Sequence, residues 1–179
     1  MKKPLKFETE RLIIRRPKKS DAKYLFENYT QDPEVTKFLS WKPHKKLRDT
    51  EHFILNAMHI NRLIKTRYIY VVTEKKNPQI AIGMIDIIIL GQTAGFGYVL
   101  AKNFWNRGYM TEAVKPVMEH IFTLPQVFRI QAGFHPENIG SGKIMEKIGM
   151  QFEGNYRRST IFPNISTEPQ DCLMFSKVK

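Results

Sequence analysis

The stretch FWNRGYMTEA, residues 104–113, sets an aromatic pair, an Arg, a lone Gly and then Thr-Glu-Ala directly ahead of a helical pattern. The first turn of any helix carries backbone donors without intrahelical acceptors, and a glycine ahead of it lets the chain approach an anion closely. Behind Gly108, the residues Ala113, Val117 and Ile121 fall on one helical face. Pro116 lies within that helix, where it removes a backbone hydrogen bond and is expected to bend the axis. Glycines at helix entries are common, so the surrounding chain decides whether this one cradles a phosphate.

At 179 residues and 42% hydrophobic content the chain is long and apolar enough for a sizeable core. No repeat, low-complexity tract or linker divides it, so residues 1–179 are expected to form a single domain. Lys and Arg number 29 against 17 Asp and Glu. The resulting charge of +12 favours acidic partners such as phosphorylated cofactors, ribosomal RNA or anionic membrane, without choosing among them. Cys172, the one cysteine, cannot form an internal disulfide and reads as a small buried hydrophobe in a reducing compartment. The opening MKKPLKFETE has basic residues with no apolar run behind them, unlike a signal peptide. IAIGMIDIIIL, residues 80–90, is interrupted by Asp86 and too short to cross a bilayer. A cytoplasmic protein with no membrane partner is expected. His44, His52, His59, His120 and His135 show no close pair at metal-ligand spacing, and no metal site is expected.

RLIIRR, residues 11–16, reads as a strand ended by Pro17, and Ser20-Asp21 starts a helix with Ala22, Leu25, Phe26 and Tyr29 at i, i+3, i+4 and i+7. Phe53, Ala57, Ile60 and Ile64 form a second helical face. Between the two, LSWKPHKKLRD, residues 39–49, reads as a basic connection with an exposed Trp41. YIYVVTE (68–74) and QIAIGMIDIIIL (79–90) form a hairpin across KKNP. AGFGYVLA (94–101) adds a strand whose glycines suggest a bulge or a close backbone approach. VFRIQAGFH (127–135) is a further strand, residues 139–148 a short helix stopped by Gly149, and DCLMFSKV (171–178) a last strand. The order β-α-α-β-β-β-α-β-α-β-β predicts an α+β fold, a mixed and largely antiparallel central sheet flanked by helices.

Three segments in this order resemble the GNAT acetyltransferase superfamily, and within it the ribosomal-protein N-terminal acetyltransferase group. They are TERLIIRRPKKSDAKYLFENYTQDPEVTKFL (9–39), GYVLAKNFWNRGYMTEAV (97–114) and HPENIGSGKIMEKIGMQFEG (135–154), and the likeness covers nearly the whole chain. It implies acetyl-CoA as acetyl donor, with the backbone N–H groups of Asn106, Arg107, Gly108, Tyr109, Met110 and Thr111 around its pyrophosphate and a further hydroxyl from Thr111. Trp105 and Met110 stand where the wider superfamily begins its motif with Gln or Arg and ends it with Gly or Ala.

The resemblance also assigns roles beyond the loop. Asn138 is implied to contact the pantetheine arm, and backbone N–H groups around Val99 to polarise the thioester carbonyl. Much of the superfamily protonates the departing thiolate with a Tyr, but Met145 stands at that position, which makes Ser141 the candidate acid. Asn138 and Ser141 are equally favoured as helix-capping residues. Members of the group often carry Glu where this chain has Gly95. Asp86, on a neighbouring strand, is either a substitute acid that meets the substrate or a paired structural residue. Trp41, Phe38 and Tyr156 are candidates for a substrate pocket or for rim packing.

Without the Glu, acceptor acidity matters. An α-amine of pKa roughly 7.7–8.0 is about a tenth neutral at pH 7, whereas a lysine at ~10.4 is neutral in about one molecule in 2,500. The expected acceptor is therefore a protein or peptide N-terminal α-amine, such as that of a ribosomal protein. Alternatives are a polyamine or antibiotic acetyltransferase, and a non-catalytic acyl-CoA-sensing or RNA-binding module. KPHKKLR (42–48) reads as a solvated basic loop ahead of an RNA contact. Either a monomer or a homodimer fits.

Overall fold

The structure, a computed structural model, describes residues 3–179. Eight strands make one sheet: β1 (Lys6–Glu8), β2 (Leu12–Arg15), β3 (Arg67–Glu74), β4 (Asn77–Leu90), β5 (Thr93–Leu100), β6 (Arg129–Phe134), β7 (Gln151–Thr160) and β8 (Gln170–Val178), in the spatial order β1-β2-β3-β4-β5-β6-β8-β7. Neighbours run antiparallel except β5 and β6, which are parallel and pair only over Thr93–Gly95 against Arg129–Gln131. Beyond those residues the two strands part. From there β5 is held by β4 alone and β6 by β8 alone.

Among the described residues five α-helices cover the two faces: α1 (Asp21–Leu25), which continues as a π-helical turn over Phe26–Thr30, α2 (Pro33–Thr36), α3 (Leu47–Leu63), α4 (Tyr109–Phe122) and α5 (Ile139–Lys147). The alternation of strand side chains divides the core accordingly. Ile85, Ile87, Phe96 and Ile130 face α4 and α5, where they meet Val117, Ile121 and Met145. On the other face Ile69, Val71 and Met84 meet Leu25, Tyr29 and Ile54 of the α1–α3 layer. The expected mixed, largely antiparallel sheet flanked by helices is the observed fold. α4 continues as one helix through Pro116, and Gly149 ends α5 with φ of +79°.

Several elements depart from expectation. β1 is an additional edge strand, carried by Phe7 opposite Ile14 among charged neighbours that mask it in the sequence. α2 is a short additional helix whose start is fixed by the Asp32 carboxylate, which accepts from the N–H of Glu34 at 2.8 Å. α3 begins at Leu47, inside the expected basic connection; of the expected face Ala57 is buried, Phe53 and Ile60 are half-buried against the core and Ile64 is exposed, while Thr50, Ile54 and Asn61 are buried in addition. The reason is polar satisfaction. Thr50 bonds the Thr30 hydroxyl at 2.8 Å, and the Asn61 amide bonds both the N–H and the C=O of Ile69, so these polar groups are buried without loss.

The glycines of β5 also act differently from the expected bulge. The β4–β5 register is unbroken, and the close approach lies at Gly83 on β4, where a Cβ would stand 2.5 Å from the carbonyl oxygen of Val99. The register shift is on the other side of β4, between it and β3 near Thr73.

α1 is tied to the sheet by a buried ion pair. Both guanidinium nitrogens of Arg15 reach Asp21, at 2.6 and 2.9 Å, and the N–H of Lys18 donates to the same carboxylate at 2.8 Å. Ser20, at the helix start, makes no capping bond. Removing the carboxylate from this fully buried position strands the Arg15 charge, so Asp21→Ala is expected to destabilise the fold by about 3 kcal/mol in urea unfolding.

Candidate active site

None of the backbone N–H groups of residues 106 to 111 donates to an acceptor among the described residues. Asn106 and Gly108 both take positive φ, +59° and +75°, a conformation that turns successive N–H groups toward one concavity. Asn is among the residues that tolerate it best, and Gly108 meets no steric penalty. The side chains around this loop point elsewhere. Met110 is buried in the core, which leaves its N–H available and its bulk out of the loop. Tyr109 is also buried, and its hydroxyl donates to Glu74 at 2.7 Å.

Arg11 holds the loop in place. Its guanidinium donates to the Arg107 carbonyl at 3.0 Å and to Glu112 at 2.7 Å, and packs over the Tyr109 ring at 4.4 Å. Thr9 and the Arg11 N–H complete the shell of Glu112, at 2.5 and 2.9 Å. Burial pushes the Glu112 carboxyl up, but these donors outweigh it and hold the group below the usual carboxylate range. Next to the loop, a cavity of about 440 Å³ is lined by Gly108, Thr111, Lys115 and Lys147, among others. Neither lysine has a carboxylate partner among the described residues.

The parting of β5 from β6 forms the second part of the site. The N–H of Ala101 donates to Ile82 of β4 at 2.8 Å, and the Gln92 carbonyl accepts from Phe128 on the β6 side at 3.0 Å. With a period of two, the Val99 N–H faces Met84 on β4, while those of Tyr98 and Leu100 face the gap. Across the gap α5 begins at Asn138, whose side chain accepts from the Ser141 N–H at 3.3 Å. The Ser141 hydroxyl lies 2.8 Å from that of Tyr98, which also reaches the Ser141 carbonyl at 3.0 Å. Burial pushes the Tyr98 phenol above its ordinary range, so it stays protonated. Met145 is buried in the core.

The remaining candidates are engaged. Asp86 is gripped by both nitrogens of the Arg67 fork, at 3.0 and 2.5 Å. Trp41 is half-buried, packed on His44 and Phe53 with centroids 4.9 and 5.5 Å away, and Tyr156 is exposed. Phe38 stacks on His135 at 5.4 Å, and Phe162 meets the same imidazole edge-on at 5.1 Å. Asn164 donates to the carbonyls of Thr36 and Trp41, at 2.7 and 2.8 Å, which joins the segment between β7 and β8 to the one after α2. Glu34 pairs with Lys102 beyond β5, and Lys37 with Glu137 beyond β6 at 3.0 Å.

Residues 11–151 match the acetyltransferase (GNAT) domain family. This chain belongs to the GNAT family. It is an acetyl-CoA-dependent N-acetyltransferase of that type. The uncharacterized N-acetyltransferase p20 of Bacillus licheniformis is 31% identical over 96% of this chain and 94% of its own length. The ribosomal protein uS5-alanine N-acetyltransferase of Escherichia coli is 22% identical over 84% of this chain and 80% of its own. Among solved structures, the microcin C7 self-immunity acetyltransferase MccE, in complex with acetyl-CoA and AMP, superposes with a TM-score of 0.86 at 21% identity, covering 99% of this chain and 98% of its own.

Arg11, Tyr98, Lys115, Lys147 and His135, which the structure brings to the candidate site, were not singled out from the sequence. Of these, only Tyr98 had a local signal, since a strand that places Val99 at a gap places its neighbours there too. The Arg11–Glu112 clamp joins residues too far apart in sequence to be paired by spacing.

If that clamp orders the GNAT donor loop, Glu112→Gln raises the KM for acetyl-CoA by roughly tenfold while kcat changes little, as expected for binding common to ground and transition states. The lowered Glu112 pKa fixes the sign of the pH effect: its stabilisation is complete above the ordinary carboxylate range and is lost as pH falls through the depressed value. Acid melts of the wild type should carry this loss and those of Glu112→Gln should not.

Proposed function

We propose that the acceptor is the α-amine of a polypeptide N-terminus, with a ribosomal protein as the leading class. The neutralised carboxylates around the strand gap carry this reading. Glu34, Glu137 and Asp86 are each bound to a cation, and Gly95 contributes no acid. An amine that needs little help to lose its proton suits such a site. The name of the Escherichia coli relative supports the ribosomal-protein class.

Acetyl-CoA supplies an activated acetyl group whose carbonyl carbon the neutral amine attacks. The donors of Asn106, Arg107, Gly108, Tyr109, Met110 and Thr111 fit its pyrophosphate, and Lys115 and Lys147 fit a phosphate on the adenosine side. Asn138 orients α5 toward the gap. The N–H groups beside Val99, those of Tyr98 and Leu100, stabilise negative charge developing on the carbonyl oxygen. As the C–S bond breaks, Ser141, its hydroxyl bonded to Tyr98, passes a proton to the thiolate and regains one from solvent, which takes up the proton lost by the acylated amine; a thiol of pKa ~8.5 requires only a weak donor. Trp41 and the Phe38–His135–Phe162 cluster border the acceptor side.

A small-molecule amine is the second reading, favoured by the AMP bound in MccE. Following CoA release from purified protein with N-terminal peptides, polyamines and aminoglycosides separates the two. Peptides should turn over fastest, with a rate that rises with pH and levels off at the amine's own pKa without an earlier carboxylate inflection. Efficient acetylation of polyamines at pH 7 with inert peptides would refute the α-amine assignment. Tyr98→Phe and Ser141→Ala should each lower kcat by about tenfold with KM for acetyl-CoA little changed. Unchanged turnover in both folded variants would remove the pair from the mechanism.

A further inference from the structure

A second cavity of about 440 Å³ lies away from the acetyl-transfer site, between the start of the chain, the residues after β2 and the last turn of α3. Lys3, Arg16, Arg62 and Lys65 line it, and no carboxylate does. Among the described residues none of the four has an acidic partner within 4.0 Å, while cations elsewhere in the chain, such as Arg15, Arg67 and Arg129, do. Like charges gathered without counter-charge raise the energy of the folded state.

Two details favour an anion. The carbonyls at the end of α3 would repel one, but Lys3 Nζ donates to those of Asn61 and Ile64, at 3.3 and 2.5 Å, and offsets them. The Arg16 Nε is buried and bonds to nothing, and only one of its terminal nitrogens is engaged, with the Lys3 carbonyl at 2.9 Å. Burial, and Arg16 beside it, hold Lys3 below the ordinary lysine range. Arg62 and Lys65 are exposed and free to close over an occupant.

We propose that this cavity binds a phosphate group, either inorganic phosphate or the phosphomonoester of a small metabolite. Guanidinium forks match phosphate oxygens, and the dianion balances several cations at once. The volume suits a small molecule. The site is distinct from the donor loop. The two cavities share no lining residue: this one is walled by Lys3, the residues after β2 and the end of α3, the other by Thr9, Gly108, α4 and Lys147 of α5.

The test is calorimetric titration of inorganic phosphate and of glycerol 3-phosphate into protein saturated with CoA, against chloride at matched ionic strength. Saturation with CoA blocks phosphate at residues 106–111. Binding of either probe is expected, with a rise in melting temperature, and Arg62→Gln/Lys65→Gln should weaken it at least tenfold. Tighter binding of glycerol 3-phosphate identifies a metabolite as the source, and equal binding identifies free phosphate. Arg16→Gln provides a second variant, provided that its melting curve remains cooperative. Absence of binding to the CoA-saturated protein, or binding unaltered in Arg62→Gln/Lys65→Gln, overturns the proposal.

Discussion

The parting of β5 from β6 after a short parallel stretch is the constraint on which the site depends. A sheet whose strands stayed paired would satisfy every backbone donor internally and leave nothing to offer a ligand. Here β4 supports β5 along its whole length and β8 supports β6, so each strand is stable with one free edge. The separation is maintained by layers on both faces. α4 and α5 pack on one side and α1 to α3 on the other, and α5 stands across the gap with Ser141 bonded to Tyr98. That bond spans the gap where backbone pairing has ceased, which places a hydroxyl pair beside the free donors.

A loop of unpaired N–H groups carries a complementary difficulty. Donors without acceptors do not order themselves, and they must stay ordered to bind an anion at low entropic cost. Arg11 meets this requirement through the acceptor groups of the loop. It takes the Arg107 carbonyl and the Glu112 carboxylate, so the acceptor ends of the loop are fixed while the donor ends remain open. Glu112 sits in the first turn of α4, where negative charge is favourable to the helix dipole. Tyr109 adds an anchor to Glu74 at the end of β3. The donor loop is therefore attached to β2 and β3.

How much of this was legible in the sequence depends on the range of the interactions. Strands 68–74, 79–90 and 94–101 and the helix behind Gly108 announced themselves by periodicity, because burial follows residue spacing there. The face of α3 did so only in part: Ala57 was readable, whereas Thr50 and Asn61 are buried by virtue of partners at Thr30 and Ile69 that no local pattern reveals. β1 was hidden because an edge strand needs only one apolar contact face, supplied here by Phe7. In the site, the donor loop was readable from Gly108, and the Asn138 cap from its position three residues ahead of Ser141. The Arg11 clamp and the direction of the Val99 N–H were not readable, because both follow from how distant segments are registered.

Charge distribution links the site to its chemistry. The chain holds a large excess of cations, yet several of its scarce carboxylates are bound at the rim of the gap or beside the donor loop. Each is neutralised in place: Glu112 organises the loop, and Glu34 and Glu137 tie the α2 segment to the ends of β5 and β6. Glu112 and Glu137 are held below the ordinary carboxylate range by these partners and are poorer proton acceptors for it. The ion pairs beside the gap thus engage carboxylates that could otherwise accept a proton. Under the proposed α-amine acceptor this costs nothing, because an amine of pKa roughly 7.7–8.0 is already partly neutral at pH 7, whereas a lysine would need such a base.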